Sequence, residues 1–234
     1  YAVPQAVSDR PVIKDLQANV LFANDDIQRI ANGLLAADAD IIVLQEIAGR
    51  NEEVLSRLAD KYANQVNCRI ARFHSVAILV RIPYAANRQT SCIAELGFGR
   101  VNVMFGDTQI TIGSFHAWWP WPLNQYEQID LLTEHWKNID GATIIAGEFN
   151  AAPWSHAVDR VAQATSTQVP AGAVFSWGPA AGNNTFPELR PLPIDHALHS
   201  RHFGLLSRKA LPSIGSDHLP VLNTYVLLHE KDQK

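Results

Sequence analysis

The chain is short of charge. Only 18% of its 234 residues are Asp, Glu, Lys or Arg, against 47% that are hydrophobic. The two signs nearly cancel, at 19 basic and 23 acidic residues, and the basic ones are scattered. A protein that grips a long polyanion shows a basic footprint. A formal net charge of −4 and a pI near 6.1 therefore argue against duplex nucleic acid as the main partner. No apolar run approaches the roughly 20 residues that a membrane helix needs. The first residue is Tyr1 rather than methionine. That is compatible with a processed or trimmed form, so the lack of a signal or membrane anchor here says little about location. Cysteine is scarce too. Cys68 and Cys92 match no metal-binding spacing. They read either as two core thiols or as one disulfide formed in an oxidising compartment.

What is present suits one folded domain over residues 1–234, expected to be monomeric. The compartment stays open, with an extracytoplasmic or membrane-attached setting preferred to the cytoplasm. Val12–Phe22 reads as an extended, buried segment. Asp25 and Asp26 can cap a helix whose apolar face is Ile27, Ile30, Ala31, Leu34 and Leu35. Ile41–Leu44 is a short β-branched run, a buried strand. A helix is expected over Asn51–Tyr62. Strands are expected around Val76–Val80, Val101–Phe105 and Gln109–Phe115. Asn124 can cap a helix with Tyr126, Ile129, Leu132 and Trp136 on one face. Thr143–Ala146 is another buried strand. Thr165–Pro193 reads as a long loop, and Ile194–His199, Phe203–Leu211 and Leu219–Leu228 finish the chain. The helix–strand–acid pattern occurs twice, at Glu46 and at Glu148, as an internal duplication would leave it. Several strands follow each other directly, so two packed sheets with helices outside fit better than a doubly wound sheet.

Polar residues recur at strand ends, where loops can gather them. They are Asn19, Glu46 after Leu44-Gln45, His116 after Ser114-Phe115, the run Gly147-Glu148-Phe149-Asn150, Asp195-His196, and Ser216-Asp217-His218-Leu219-Pro220. A carboxylate at the end of a buried strand is costly unless paired or metal-bound. An acid beside a histidine offers a ligand and a proton-handling group in one turn. Each motif alone has an ordinary structural explanation; the ordered set of six does not share one.

This set resembles the endonuclease/exonuclease/phosphatase superfamily, carried by Leu44-Gln45-Glu46, Gly147-Glu148-Phe149-Asn150 and Ser216-Asp217-His218-Leu219-Pro220. The combination of Asn19-Val20-Leu21-Phe22, Ala151-Ala152-Pro153-Trp154-Ser155, Leu192-Pro193-Ile194-Asp195-His196 and Gly215-Ser216-Asp217-His218 is similar to a bacterial YafD/VanJ-like subgroup. The resemblance implies an α/β, DNase I-like four-layer sandwich of two mixed β-sheets flanked by helices. It implies Mg²⁺, with Mn²⁺ or Ca²⁺ as substitutes, held by Glu46 with Asn19 and Asp217. His218, oriented by Asp195, would contact the scissile phosphate and handle a proton. His116 would bind or protonate the phosphate, and Asn150 would orient the phosphate or the attacking water. The family pattern has Asp where this chain has Glu148, the position that directs water. One methylene changes the reach by roughly 1 Å, and such a displacement can cost about 100-fold.

Trp118, Trp119 and Trp121 follow His116, interleaved with Pro120 and Pro122. They read either as a rigid surface loop or as an aromatic wall for an apolar or ring-bearing substrate. The expectation is thus a phosphoester hydrolase acting on a small or lipid-like phosphate compound, with nucleic acid less favoured and any membrane attachment lying outside this chain. Two rivals stand beside it: a non-hydrolytic cyclisation or elimination on the same scaffold, suggested by Glu148, and a ligand-binding or resistance module without turnover.

Overall fold

The computed structural model describes residues 10–69, 75–86, 89–178 and 191–228. The segments, in order, are β1 (Val12–Asn19), α1 (Ile27–Ala36), β2 (Ile41–Gln45), a 3₁₀ turn (Gly49–Glu52), α2 (Glu53–Leu58), β3 (Asn64–Cys68), β4 (Val76–Val80) and β5 (Thr90–Ile93). A short 3₁₀ turn (Ala94–Leu96) leads into β6 (Phe98–Phe105), β7 (Thr108–His116), α3 (Gln125–Trp136), β8 (Ala142–Glu148), α4 (His156–Ala164), β9 (Asp195–His199), β10 (Phe203–Ala210) and β11 (Val221–Leu227).

The strands form two mixed sheets. One has the order β10-β11-β1-β2-β4-β3 and the other β5-β6-β7-β8-β9. Each contains one parallel pair, β1 with β2 and β7 with β8, flanked by antiparallel neighbours. Glu46 follows the second strand of one pair and Glu148 ends the second strand of the other. The repeated helix–strand–acid pattern thus has a counterpart in the topology.

Alternation along the strands explains the layers. Ile41 and Val43 join Ile110, Ile112, Ile144 and Ala146 in a core between the sheets. Ile42 and Leu44 face the other way, onto Ile30, Leu34, Val54 and Leu58 of α1 and α2. Ile145 and Leu198 meet Ile129, Leu132, Trp136, Val158 and Val161 of α3 and α4. The result is helix, sheet, sheet, helix: the expected four-layer sandwich.

Capping follows the sequence closely. The Asp26 carboxylate accepts from Arg29 N at the start of α1, and the Asn124 side chain accepts from Glu127 N at the start of α3. Some expectations need correction. Over Asn51–Tyr62 the helix is only α2, preceded by the 3₁₀ turn. Tyr126 is 42% exposed, not on the inner face of α3. Gln125 and Gln128 are buried there instead, because their amides satisfy the carbonyls of Trp118, Phe149, Leu96 and His116. β3, β5 and α4 escape the sequence reading; β3 and β5 are short, polar edge strands. Of the expected Thr165–Pro193 loop, residues 179–190 lie outside the described residues.

Cys68 and Cys92 form a disulfide, with Cα atoms 5.4 Å apart. It joins β3 to β5, one edge strand from each sheet. Gly99 makes room for it: a Cβ there would lie 2.5 Å from Cys68 Sγ.

Candidate active site at the strand ends

Strand register builds the site. In the second sheet His116 lies opposite Glu148, and Glu148 opposite Asp195, so three polar groups form one row across β7, β8 and β9. In the first sheet Asn19 pairs with Gln45. Glu46 lies one residue beyond, in a left-handed backbone conformation (φ 58°). Leu21 is left-handed as well, at φ 61°. Such positions cost energy for non-glycine residues and persist only where the surroundings enforce them. The buried Asn51 amide does so, donating to the carbonyls of Leu21 (3.1 Å) and Glu46 (3.2 Å). Gly147 is required for a different reason. With φ at 154°, a Cβ would fall 1.8 Å from Phe115 O, so only glycine lets β8 run this close to β7.

The side chains converge on Glu148. Its Oε2 accepts from Asn19 Nδ2, lies 3.3 Å from His116 Nε2 and 3.8 Å from His218 Nε2. Asn19 Nδ2 also donates to Glu46 Oε1 at 3.0 Å, so one amide bridges the two carboxylates. Glu46 Oε2 accepts from Phe22 N at 2.9 Å. Asp195 is fully buried and receives four groups: His218 Nδ1 at 2.8 Å, Gln17 Nε2 at 2.8 Å, Ser176 Oγ, and through its backbone carbonyl Arg208 at 2.8 Å.

The electrostatics follow from this crowding. Burial pushes Glu148 up to about 7, and Asp195 and Asp217 add to the rise against the pull of His218 and Asn19. Burial alone would discharge His218, but Asp195 and Glu148 outweigh it and push the imidazole up to about 10. Asp195 is buried yet stays below the usual carboxylate range, because His218, Ser176 and Gln17 stabilise its charge. The Asp195–His218 pair is therefore an ion pair at neutral pH, with Nε2 of the imidazolium aimed toward Glu148.

Among the described residues, Glu46, His116 and Glu148 hold ligand atoms within 4.8 Å of one another. Two carboxylates and an imidazole suit a divalent cation. Asp217 lies beside this group; its carboxylate accepts from Trp177 Nε1 at 3.0 Å and from Ser216 Oγ at 3.3 Å. Asn150 is buried, left-handed at φ 47°, and its amide donates to Ala117 O at 2.7 Å. Trp118 is half-buried, its backbone N bonded to Gln128 at 2.7 Å. Trp119 stacks edge-on against Trp177 (5.8 Å), which in turn lies 6.3 Å from His218. Trp121 is 84% exposed.

Gln17, Asn51, Ser114, Ser176 and Trp177 belong to the site but escape motif reading. Gln17 and Ser114 carry a usable signal: each lies two residues before a site residue in a strand, hence on the same face. Asn51, Ser176 and Trp177 sit in loops and carry none.

The model of the endonuclease/exonuclease/phosphatase family matches residues 16–218. Solved structures with the same fold include an endonuclease/exonuclease/phosphatase from Beutenbergia cavernae, at 17% identity and TM-score 0.71, covering 93% of this chain and 72% of that one. A Bacteroides thetaiotaomicron protein of the same family name aligns at 16% identity and TM-score 0.71, over 94% of this chain and 99% of that one. Sphingomyelinase C from Streptomyces griseocarneus aligns at 17% identity and TM-score 0.62, over 92% and 99%. No functionally curated protein matches the sequence.

Proposed function

The chain belongs to the endonuclease/exonuclease/phosphatase family, and from that premise we propose that it is a metal-dependent phosphoesterase. The carrying observation is the convergence on Glu148 of His116, His218 and the Asn19 amide, which also holds Glu46 of the other sheet. We assign Glu46, Glu148 and His116 to the cation, with Asn19 locking the two carboxylates in place and Asp217 alongside. A divalent cation held there would supply positive charge to the phosphate oxygens and the leaving group. The His218 imidazolium, fixed by Asp195, donates a proton or a charged hydrogen bond to the phosphate. Asn150 is held on Ala117 O just before the Trp118–Trp119 segment, whose Trp119 packs on Trp177. The subgroup of YafD/VanJ-like proteins remains the nearest reading of the Asn19 and Pro153-Trp154 motifs.

An imidazole nitrogen in the set favours Mn²⁺ over Mg²⁺ and Ca²⁺, which prefer oxygen. Titration calorimetry should find Mn²⁺ tighter than Mg²⁺ by about an order of magnitude, and His116→Ala should close most of that gap. The activity test is a panel of aryl phosphodiesters and monoesters, with and without EDTA. Turnover that EDTA abolishes and Mn²⁺ or Mg²⁺ restores is expected. A chain that binds the cation normally but turns over no member of the panel is not a phosphoesterase.

A further inference from the structure

The large apolar side chains left in water are not spread evenly. Of ten among the described residues, Trp119, Trp121 and Leu123 follow β7, Trp154 follows β8, and Phe175 and Leu192 precede β9; Val12, Tyr126, Leu131 and Leu206 lie elsewhere. The first six all lie in loops at the end of the second sheet where His116 and Glu148 finish and Asp195 begins. Trp121 and Trp154 are 84% and 71% exposed. Clustered exposure on this scale marks a contact surface.

The same loops lack charge. Among the described residues, 117–124, 149–155, 165–178 and 191–194 contain no Asp, Glu, Lys or Arg; Glu188 and Arg190 of the last connection lie outside the described residues. The loops of the first sheet differ: they carry Asp25, Asp26, Arg50, Glu52 and Glu53. The rim of the site is thus apolar and uncharged on one side, ionic on the other. A nucleic-acid surface needs cations along its phosphates, and the described residues of these loops offer none. Tryptophan, with an apolar body and one polar N–H, favours the boundary between lipid chains and water. The rim is also tied to the chemistry, since Trp119 packs on Trp177, whose indole holds Asp217.

We propose that this uncharged aromatic rim docks the site onto a lipid bilayer, so that the substrate is a phosphate ester presented at the lipid–water interface. The proposal rests on the phosphoesterase reading and narrows its substrate class. Because no cation is involved, docking is driven by apolar burial and is insensitive to salt.

The test uses the full chain with phosphatidylcholine vesicles and, in parallel, phosphatidylglycerol vesicles, at low and high salt. Co-sedimentation and quenching of tryptophan fluorescence by brominated acyl chains are read together. Partition onto both vesicle types, retained at high salt, is expected. Trp154→Ala combined with Leu123→Ser should lower partition roughly tenfold or more, with an unchanged melting temperature and unchanged hydrolysis of a soluble aryl phosphodiester. No partition onto phosphatidylcholine, partition only onto anionic vesicles that salt abolishes, or equal partition of the double variant overturns the proposal. Soluble turnover without vesicle binding refutes docking alone. Vesicle binding without any turnover refutes the phosphoesterase reading alone.

Discussion

At the scale of single residues, Glu148 carries the most weight. Its extra methylene brings one carboxylate oxygen against Asn19, His116 and His218 at once. Glu148→Asp withdraws that oxygen by roughly 1 Å. If Glu148 is a cation ligand, Mn²⁺ affinity should fall about tenfold or more in calorimetry, because a ligand displaced by that much no longer completes the set. If it instead directs the attacking water, the shorter acid should leave metal affinity unchanged and raise turnover. A repurposed, non-hydrolytic enzyme would lose its native reaction while metal affinity held. In the cation-free parent His218 should stay protonated through neutral pH, since Asp195 and Glu148 outweigh its burial and push the imidazole up to about 10.

At the scale of elements, β1 shows how a strand leads from core to chemistry. Its residues facing the other sheet are Ile13, Asp15, Gln17 and Asn19, apolar at one end and site-bound at the other. Asp15 is the costly member. It is fully buried, Asn223 is a distant donor at 3.4 Å, and burial pushes its pKa up to about 7 from 3.8. Between those two values the folded chain binds more protons than the unfolded one, so stability falls as pH rises through that window and is flat above it. The full cost above pH 7 is on the order of 4 kcal/mol. Asp15→Asn removes the charge. Relative to the parent, it should therefore gain stability progressively between about pH 4 and 7 in urea unfolding. A parent–variant difference that does not change with pH would show that the fold leaves the Asp15 carboxyl at its ordinary pKa. The sequence made the period-2 strands and the capped helices legible, because their signals are local. Asn19, Glu46, His116, Glu148, Asp195 and His218 were legible as strand-end residues. Asn51, Ser176 and Trp177 were not. What they do depends on long-range partners, such as the two left-handed carbonyls that Asn51 ties together. β3 and β5 were missed because edge strands bury little and so lack an apolar rhythm.

At the scale of the whole molecule, the site exists only where two sheets meet. Asn19 and Glu46 come from one sheet, and His116, Glu148 and Asp195 from the other. Sliding of one sheet over the other would pull Glu148 off the Asn19 amide that it shares with Glu46. Two devices oppose it: the core between the sheets and the Cys68–Cys92 crosslink at their edges. The crosslink closes a loop with a sequence separation of 24, which in chain-entropy terms contributes about 3 kcal/mol. Cys92→Ser, or reduction of the parent, should lower the thermal midpoint by on the order of 10 °C. The site strands β1, β2, β7, β8 and β9 are held by their own ladders, and neither β3 nor β5 supplies a site residue. Metal affinity of the folded variant at 25 °C should therefore match that of the parent to within about twofold. A reduced protein that melts late but releases its cation early would show that the crosslink sets the spacing of the two sheets at the site, and not only their common stability.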